Sequence, residues 1–412
     1  MNKSPRLVAL ETLYSIFYDG SYSNIALDKS LSDIKENKAF ISALVYGVTE
    51  RKITLDYFID KYAQGRIKPK VRIVLWLGAY QLLFMDKVPS SASINESVKL
   101  VKEIKQDYYS KLVNAVLHKI DNDRQIPDDL SVKYSVPENL INMWKKQYGE
   151  DVLNEFLPCI NDKPPLFAIP NKKFVNSDEL LYELECDGIL GEAYDEFVLI
   201  ENANDLTDSK AFKNGLFYIE DLSSFNCANA LDALSDDLVL DMCSAPGGKA
   251  FTISQSMNNS GKIYCYDLHE HRLNLIKSSA KRLSIDNIYT DVNDATVYNE
   301  NIPKADKILC DVPCSGFGII RRKPEIRYKE LDSVKDLPQI QYKILETSSR
   351  YLKDGGRIIY STCTLNKKEN ENVVNKFLKD HSGYKLLKDK TVFPSTVGGD
   401  GFYYAIMVKN EN

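Results

Sequence analysis

Between residue 5 and about residue 122, apolar positions recur every three or four residues, as in RLVALETLYSIFY, VRIVLWLGAYQLLFM and SASINESVKLVKEI. That spacing puts them on one side of an α-helix. Lys68-Pro69 and Lys87-Val88-Pro89-Ser90 punctuate the run, because proline lacks a donor and starts or ends helices. Residues 1–125 are therefore expected to form an all-helical bundle. DNDRQIPDD, at 121–129, is polar and aperiodic and predicts a linker. From there to residue 231 the pattern predicts helices near 137–157, a strand at LFAIP, a helix at SDELLYELECDG and strands at EFVLIE and GLFYIE, a small α+β region over 126–231. From 232 to the end, apolar runs (LVLDMC, KIYCYDL, NIYTDV, DKILCDV, RIIYSTC) alternate with helical stretches beginning at Lys249 and Arg272 and spanning 339–352. Such alternation predicts parallel strands covered by helices on both faces, with YKLLKD and GFYYAIMVK closing one edge.

A chain of 412 residues is too long for one ordinary core, in agreement with several domains. With 44% hydrophobic and 27% charged residues and no apolar run of membrane-spanning length, it reads as soluble, cytoplasmic and not membrane-bound. The start, MNKSPRLVAL, carries no apolar export segment. Eight cysteines show no CxxC spacing and there are only four histidines, so neither a metal site nor a disulfide framework is expected. The net charge of -5 argues against indiscriminate coating of nucleic acid. Two basic clusters stand out: Arg66, Lys68, Lys70 and Arg72, and Arg321, Arg322, Lys323, Arg327 and Lys329. Each is either a solvated face or a phosphate-binding patch.

The run LVLDMC passes into SAPGGK and then a helix, which places Cys243, Ser244, Ala245, Pro246, Gly247, Gly248 and Lys249 where backbone turns sharply against a ligand. This resembles motif I of class I methyltransferases, in which loop amides and the helix start hold the carboxylate of S-adenosylmethionine. Asp267 ends the next strand, placed to accept the ribose hydroxyls, and Asp294 follows the third, at the position that contacts adenine in that class.

The fourth strand leads to DVPCSGFG and the fifth to STCTL, both at the carboxyl ends of parallel strands, where ligands bind. Carbon 5 of cytosine is a poor nucleophile, and a thiolate adding at carbon 6 makes it a good one. An acid beside the thiol must meet N3 and the exocyclic amine as charge builds, and Asp311 suits that role. Pro313-Cys314 and Thr362-Cys363 together resemble the RNA 5-methylcytosine methyltransferases. The resemblance implies that Cys363 is the nucleophile and that Cys314 assists proton removal or product release. Cys265 and Cys310 are expected as buried small hydrophobes, and Asn366 with Glu369 as a capping box for the following helix.

Nearly the whole chain is similar to the RsmB (Fmu/Sun) family of 16S ribosomal RNA cytosine-C5 methyltransferases. RLVALETLYSIF, ALVYGVTERKITLDYFI, LGAYQLLFM and KLVNAVLHKI carry a likeness to its NusB-like N-terminal domain, and FYIEDLSS, GFGIIRRKPEIRY and GDGFYYAIMVK to its later motifs. The resemblance implies a multidomain protein: a NusB-like RNA-binding bundle (1–125), a small α+β linker and RNA-contact region (126–231), and a Rossmann-like catalytic domain (232–412). It implies S-adenosylmethionine as cofactor, 16S rRNA or a partly assembled small subunit as partner, and a monomer. Departures are Glu220, where the family usually has glutamine, and Lys323, where it usually has histidine, neither expected to touch the chemistry, and Ala168, Ile169 and Pro170, where it commonly has arginine-valine-asparagine, a change that bears on RNA contacts from that strand. The alternatives are the same chemistry on a tRNA or another rRNA cytosine, and a non-catalytic NusB-like RNA-binding factor.

Overall fold

The computed structural model describes residues 3–202, 206–394 and 398–411, and it divides into two compact units. The first comprises residues up to Asp162 together with Ile320–Leu331. Its helices include Pro5–Tyr18, Lys38–Tyr62, Pro69–Phe84, Ser90–Glu103 and Ser110–Asn122. Local chemistry explains their starts: Ser4 accepts from the Leu7 amide, and Pro5 and Pro69 stand in first turns that need no donor. Leu13, Leu44, Val45, Phe58, Val74, Leu77, Val113 and Leu117 are sealed in the core, each stabilising the fold by about 1.5–3 kcal/mol. Trp76 is buried with them, its indole donating to Asp56 at 2.7 Å.

The helical unit extends past the predicted linker. The chain leaves helix at Asn122 and re-enters it at Leu130–Tyr134, Glu138–Tyr148 and Glu150–Phe156. These helices pack with the bundle, so contacts divide the chain at Asp162 rather than at 125. The segment Ile320–Leu331, distant in sequence, is part of the same unit. Its Arg327 is fully buried and donates to the carbonyls of Glu50 (2.9 Å) and Ser135 (3.1 Å) and to Asn161 Oδ1 (2.9 Å), while Tyr328 donates to the Thr49 carbonyl at 2.7 Å. For Arg327, both readings of the second basic cluster give way: it is an internal strut.

The second unit holds two sheets. Strands β1 (Leu166–Pro170), β2 (Gly191–Ala193), β3 (Val198–Ile200) and β4 (Phe217–Ile219) form an antiparallel sheet in the order β2-β3-β1-β4. Helix Ser177–Cys186 follows β1 and the short helix Lys210–Lys213 precedes β4, a split βαβ pattern. One face, with Ala168, Val198 and Phe217, covers Leu180 and Leu184; the other, with Phe167, Ile169 and Tyr218, shares a core with Phe251 and Ile263. With both faces covered, residues 163–231 are a layer of the catalytic unit, not a separate linker region.

Strands β5 (Leu238–Asp241), β6 (Lys262–Asp267), β7 (Ile288–Val292), β8 (Ala305–Asp311), β9 (Leu352–Thr362), β10 (Tyr384–Val392) and β11 (Phe402–Lys409) form the large sheet in the order β10-β11-β9-β8-β5-β6-β7. From β7 through β9 neighbours are parallel, and β11 runs antiparallel between β9 and β10. This is the Rossmann-like methyltransferase arrangement expected from the alternating pattern. Cys265 and Cys310 are buried in it, as expected.

Candidate active site

The chain starts the large sheet at β5, builds outward through β6 and β7, then returns to β8 on the other side. Strand order therefore reverses between β5 and β8, and their carboxyl ends open a crevice. Cys243 to Lys249 leave β5 and enter helix Gly248–Ser256, Asp311 ends β8 with Cys314 just beyond it, and β9 delivers Thr362 and Cys363. Register pairs Asp311 with Ser361.

The two cysteine thiols meet, Sγ to Sγ, at 3.3 Å. Their loops are tied at the backbone: the Gly318 amide donates to the Cys363 carbonyl (3.0 Å) and the Gly401 amide to the Gly318 carbonyl (2.9 Å). A Cβ on Gly318 would lie 1.9 Å from the Gly401 carbonyl oxygen, so the approach requires glycine. Contact with Cys363, with burial added, holds the Cys314 thiol well above its ordinary pKa. Of two thiols in contact, one stays protonated while the other ionises.

Asp311 faces the same space. It takes the Lys249 ammonium at 2.8 Å and the Ser361 hydroxyl at 2.8 Å. Lys249 also reaches Ser224 Oγ (3.1 Å) and lies 5.3 Å from the centre of the Phe402 ring. Burial alone would lower its pKa, but Asp311 and Glu220 reverse this and hold it above the usual lysine range. One ion pair thus links the glycine loop to the cysteine site.

Residues 228–408 match the family model described as 16S rRNA methyltransferase RsmB/F, and residues 3–122 match the NusB family. A Bacillus subtilis protein described as a probable ribosomal RNA small subunit methyltransferase B is 33% identical, over 98% of this chain and 99% of its own. This chain belongs to the RsmB/F family of 16S rRNA methyltransferases. The ribosomal RNA small subunit methyltransferase B of Photorhabdus laumondii is 28% identical over 98% of both chains. Among solved structures, PH0851 superposes with a TM-score of 0.83 at 26% identity, covering 99% of this chain and 100% of that one. NSun6 from Pyrococcus horikoshii, at 21% identity and a TM-score of 0.61 over 67% of this chain and 99% of its own, shares the fold.

S-adenosylmethionine is the cofactor of this methyltransferase family, and the crevice fits it. Asp241 is buried, with only the Ser244 side chain and the Cys243 amide facing its carboxylate, and neither closes a well-formed hydrogen bond with it. These groups line a cavity of about 60 Å³ with Glu220, Gly248, Lys249 and Asp311. Gly247 has φ +109°, and a Cβ on Gly248 would lie 1.4 Å from Glu220 Oε2. Asp267 is 4% exposed at the end of β6, where its carboxylate accepts from the His269 amide at 3.1 Å. Asp294 caps its own turn through the Thr296 amide (2.9 Å) and hydroxyl (2.7 Å), which lower its pKa.

Besides Asp241, three neighbours of the site escaped the sequence reading. Arg272 pairs with Asp267 (2.9 Å) and donates to the Ala245 carbonyl (2.6 Å), joining the strand end to the glycine loop of the family. Glu220, expected to stand apart from the chemistry, lines the same cavity as Asp241 and Ser244, and desolvation raises its pKa to about 7. Glu369 is not half of a capping box. The helix begins at Glu371, and the fully buried Glu369 side chain turns inward, its Oε1 receiving Ser315 Oγ (2.5 Å) and Asn366 Nδ2 (2.8 Å) and its Oε2 the Ser315 amide (2.8 Å) and Gln341 Nε2 (3.0 Å). Its spacing from Asn366 is what a cap would show, so no sequence signal separated the two.

Proposed function

We propose that the protein methylates carbon 5 of one cytosine in 16S ribosomal RNA through a covalent cysteine adduct. The observation that carries this reading is the meeting of two thiols, Cys314 and Cys363, beside Asp311 at the crevice mouth. When bound, S-adenosylmethionine supplies an electrophilic methyl group. Asp241, Ser244 and the amides at the start of helix Gly248–Ser256 would hold its methionine end, Asp267 its ribose, and the Asp294 turn its adenine side.

Cys363 gives its proton to solvent and its Sγ bonds carbon 6, and the pair of the carbon 5–carbon 6 double bond moves to carbon 5, which makes that carbon electron-rich. Asp311 accepts from the exocyclic amine and, carrying a proton when the ring is bound, donates it to N3 as negative charge builds there, leaving a carboxylate that Lys249 neutralises. After methylation the carbon 5 proton leaves to a base, the carbon 6–sulfur bond breaks, and Cys363 is restored. In that release Cys314 gives its proton to the departing Cys363 sulfur, and the thiolate so formed takes the proton that leaves carbon 5, which restores both thiols. The target cytosine must be unstacked to reach the thiol, so a single-stranded or loosened RNA segment is the substrate. The helical unit supplies phosphate contacts, and the protein acts as a monomer on naked 16S rRNA or on a partly assembled subunit.

No described helix is long and apolar enough to cross a membrane. Bisulfite mapping of total RNA from cells with and without the protein tests the proposal. One 16S cytosine is expected to lose its protection. Loss at a tRNA position instead would reassign the substrate, and S-adenosylmethionine binding with no lost site would favour a non-catalytic RNA-binding factor.

A further inference from the structure

Glu369 occupies a place that packing alone does not explain. A carboxylate with no exposed surface costs stability that a neutral side chain would not. Its two oxygens receive four donors from three segments: the Cys314 loop (Ser315), helix Leu337–Ser349 (Gln341), and the Cys363 loop on which Glu369 itself lies (Asn366). Gln341 uses the same amide nitrogen to donate to the Pro313 carbonyl at 2.9 Å. Cys314 is therefore bracketed, with Pro313 held through Gln341 and Ser315 held directly, and both holds end on one carboxylate. Ser315 Oγ also meets Thr364 Oγ1 at 2.6 Å, and Thr364 Oγ1 takes the Phe317 amide at 3.2 Å, so the clamp spans the residues after each cysteine.

We propose that Glu369 is a positioning residue for methyl transfer: by holding the two loops that carry Cys314 and Cys363, its carboxylate sets the distance between their thiols. The assignment rests on the reading of the cysteine pair given above. Only a carboxylate satisfies this site, since a glutamine offers one acceptor oxygen and turns two N–H donors toward donors already present.

The test uses the full-length protein and its Glu369→Gln variant. A mild diazene oxidant, diamide, takes one hydrogen from each thiol and leaves a disulfide, and peptide mass mapping follows the Cys314–Cys363 crosslink. The parent should crosslink fast. The variant should crosslink at least tenfold more slowly and transfer methyl groups to 16S rRNA at least tenfold more slowly, while its affinity for S-adenosylhomocysteine stays within twofold. Crosslinking of the variant at the parental rate overturns the proposal, as does a parent that does not crosslink. A parent that crosslinks but methylates no cytosine removes the functional reading and leaves the positioning role to be decided by the crosslink alone. Should Glu369→Gln lose cofactor binding through misfolding, Ser315→Ala, which deletes one of the four donors, decides: slower crosslinking by threefold or more supports the clamp, and an unchanged rate overturns it.

Discussion

The thiols of Cys314 and Cys363, forty-nine residues apart in sequence, lie 3.3 Å from one another. Their proposed roles fall on opposite sides of methyl transfer, so their variants should fail differently. Cys363→Ser should be inactive and form no covalent RNA complex, because a serine hydroxyl is far less readily ionised than a thiol. Cys314→Ser should still add and methylate but accumulate enzyme bound to RNA, seen as a slow band on a denaturing gel that requires S-adenosylmethionine. The reverse pattern would make Cys314 the nucleophile.

Asp267 and Arg272 give a second test. Asp267→Ala should weaken cofactor binding about 100-fold, the loss of roughly 3 kcal/mol expected when charged hydrogen bonds to the ribose disappear from a buried site. Arg272→Ala should weaken it by a smaller factor, and the double variant should be no weaker than Asp267→Ala if Arg272 acts through that carboxylate. Calorimetry reads all three, and additive losses would separate the two roles.

Protonation of the crevice sets a pH dependence. Burial pushes Asp241 and Glu220 each up to about 7, with Lys249 opposing and Asp311 reinforcing the shift in both. A carboxyl whose folded pKa lies above its unfolded value stabilises the fold at low pH and ceases to do so as pH rises through the folded value. In the free protein this stabilisation is lost between about pH 4.5 and 7. The cofactor brings an ammonium and a sulfonium, which favour the ionised carboxylates, so binding should release protons and strengthen as pH rises from 6 to 7.5. Titrations in two buffers of different ionisation enthalpy count the protons, and a count of zero would show that these groups do not face the cofactor's cations.

Much of the catalytic unit was legible because parallel strands buried on both faces read as apolar runs, and because Asp267, Asp311 and Cys363 stand at or just past the ends of those runs. Cys314 and Cys363 were joined on paper by the resemblance of their two motifs to the RNA 5-methylcytosine methyltransferases, both lying after parallel strands. What escaped depends on contacts between distant segments. Asn366 and Glu369 have the spacing of a cap, and only folding turns Glu369 toward Ser315 and Gln341. Arg272 sits in an ordinary amphipathic helix, and nothing local directs it to Asp267. The strand residues Phe167 and Ile169 read as those of a free sheet until the shared core with Phe251 appears.

The same limit reassigns the basic clusters. Five cations within nine residues resembled a phosphate patch, yet Arg327 is sealed in the helical unit and Arg321 is 7% exposed. Arg327→Ala should strand the carbonyls of Glu50 and Ser135 and destabilise that unit by about 3 kcal/mol, since each involves a hydrogen bond to a buried charge. Denaturant unfolding would detect it. In the other cluster Arg72 is spoken for, paired with Asp56 and Asp60 at 2.7 Å, but Arg66, Lys68 and Lys70 are exposed. Reversing those three to glutamate should weaken RNA binding and flatten its dependence on salt by roughly two units of log–log slope, because about 0.7 counterions are released per phosphate contact on single strands. Cofactor affinity should stay at the parental value. Binding isotherms at several salt concentrations decide the matter: an unchanged slope would leave the cluster as a solvated face and place the RNA contacts of the helical unit elsewhere.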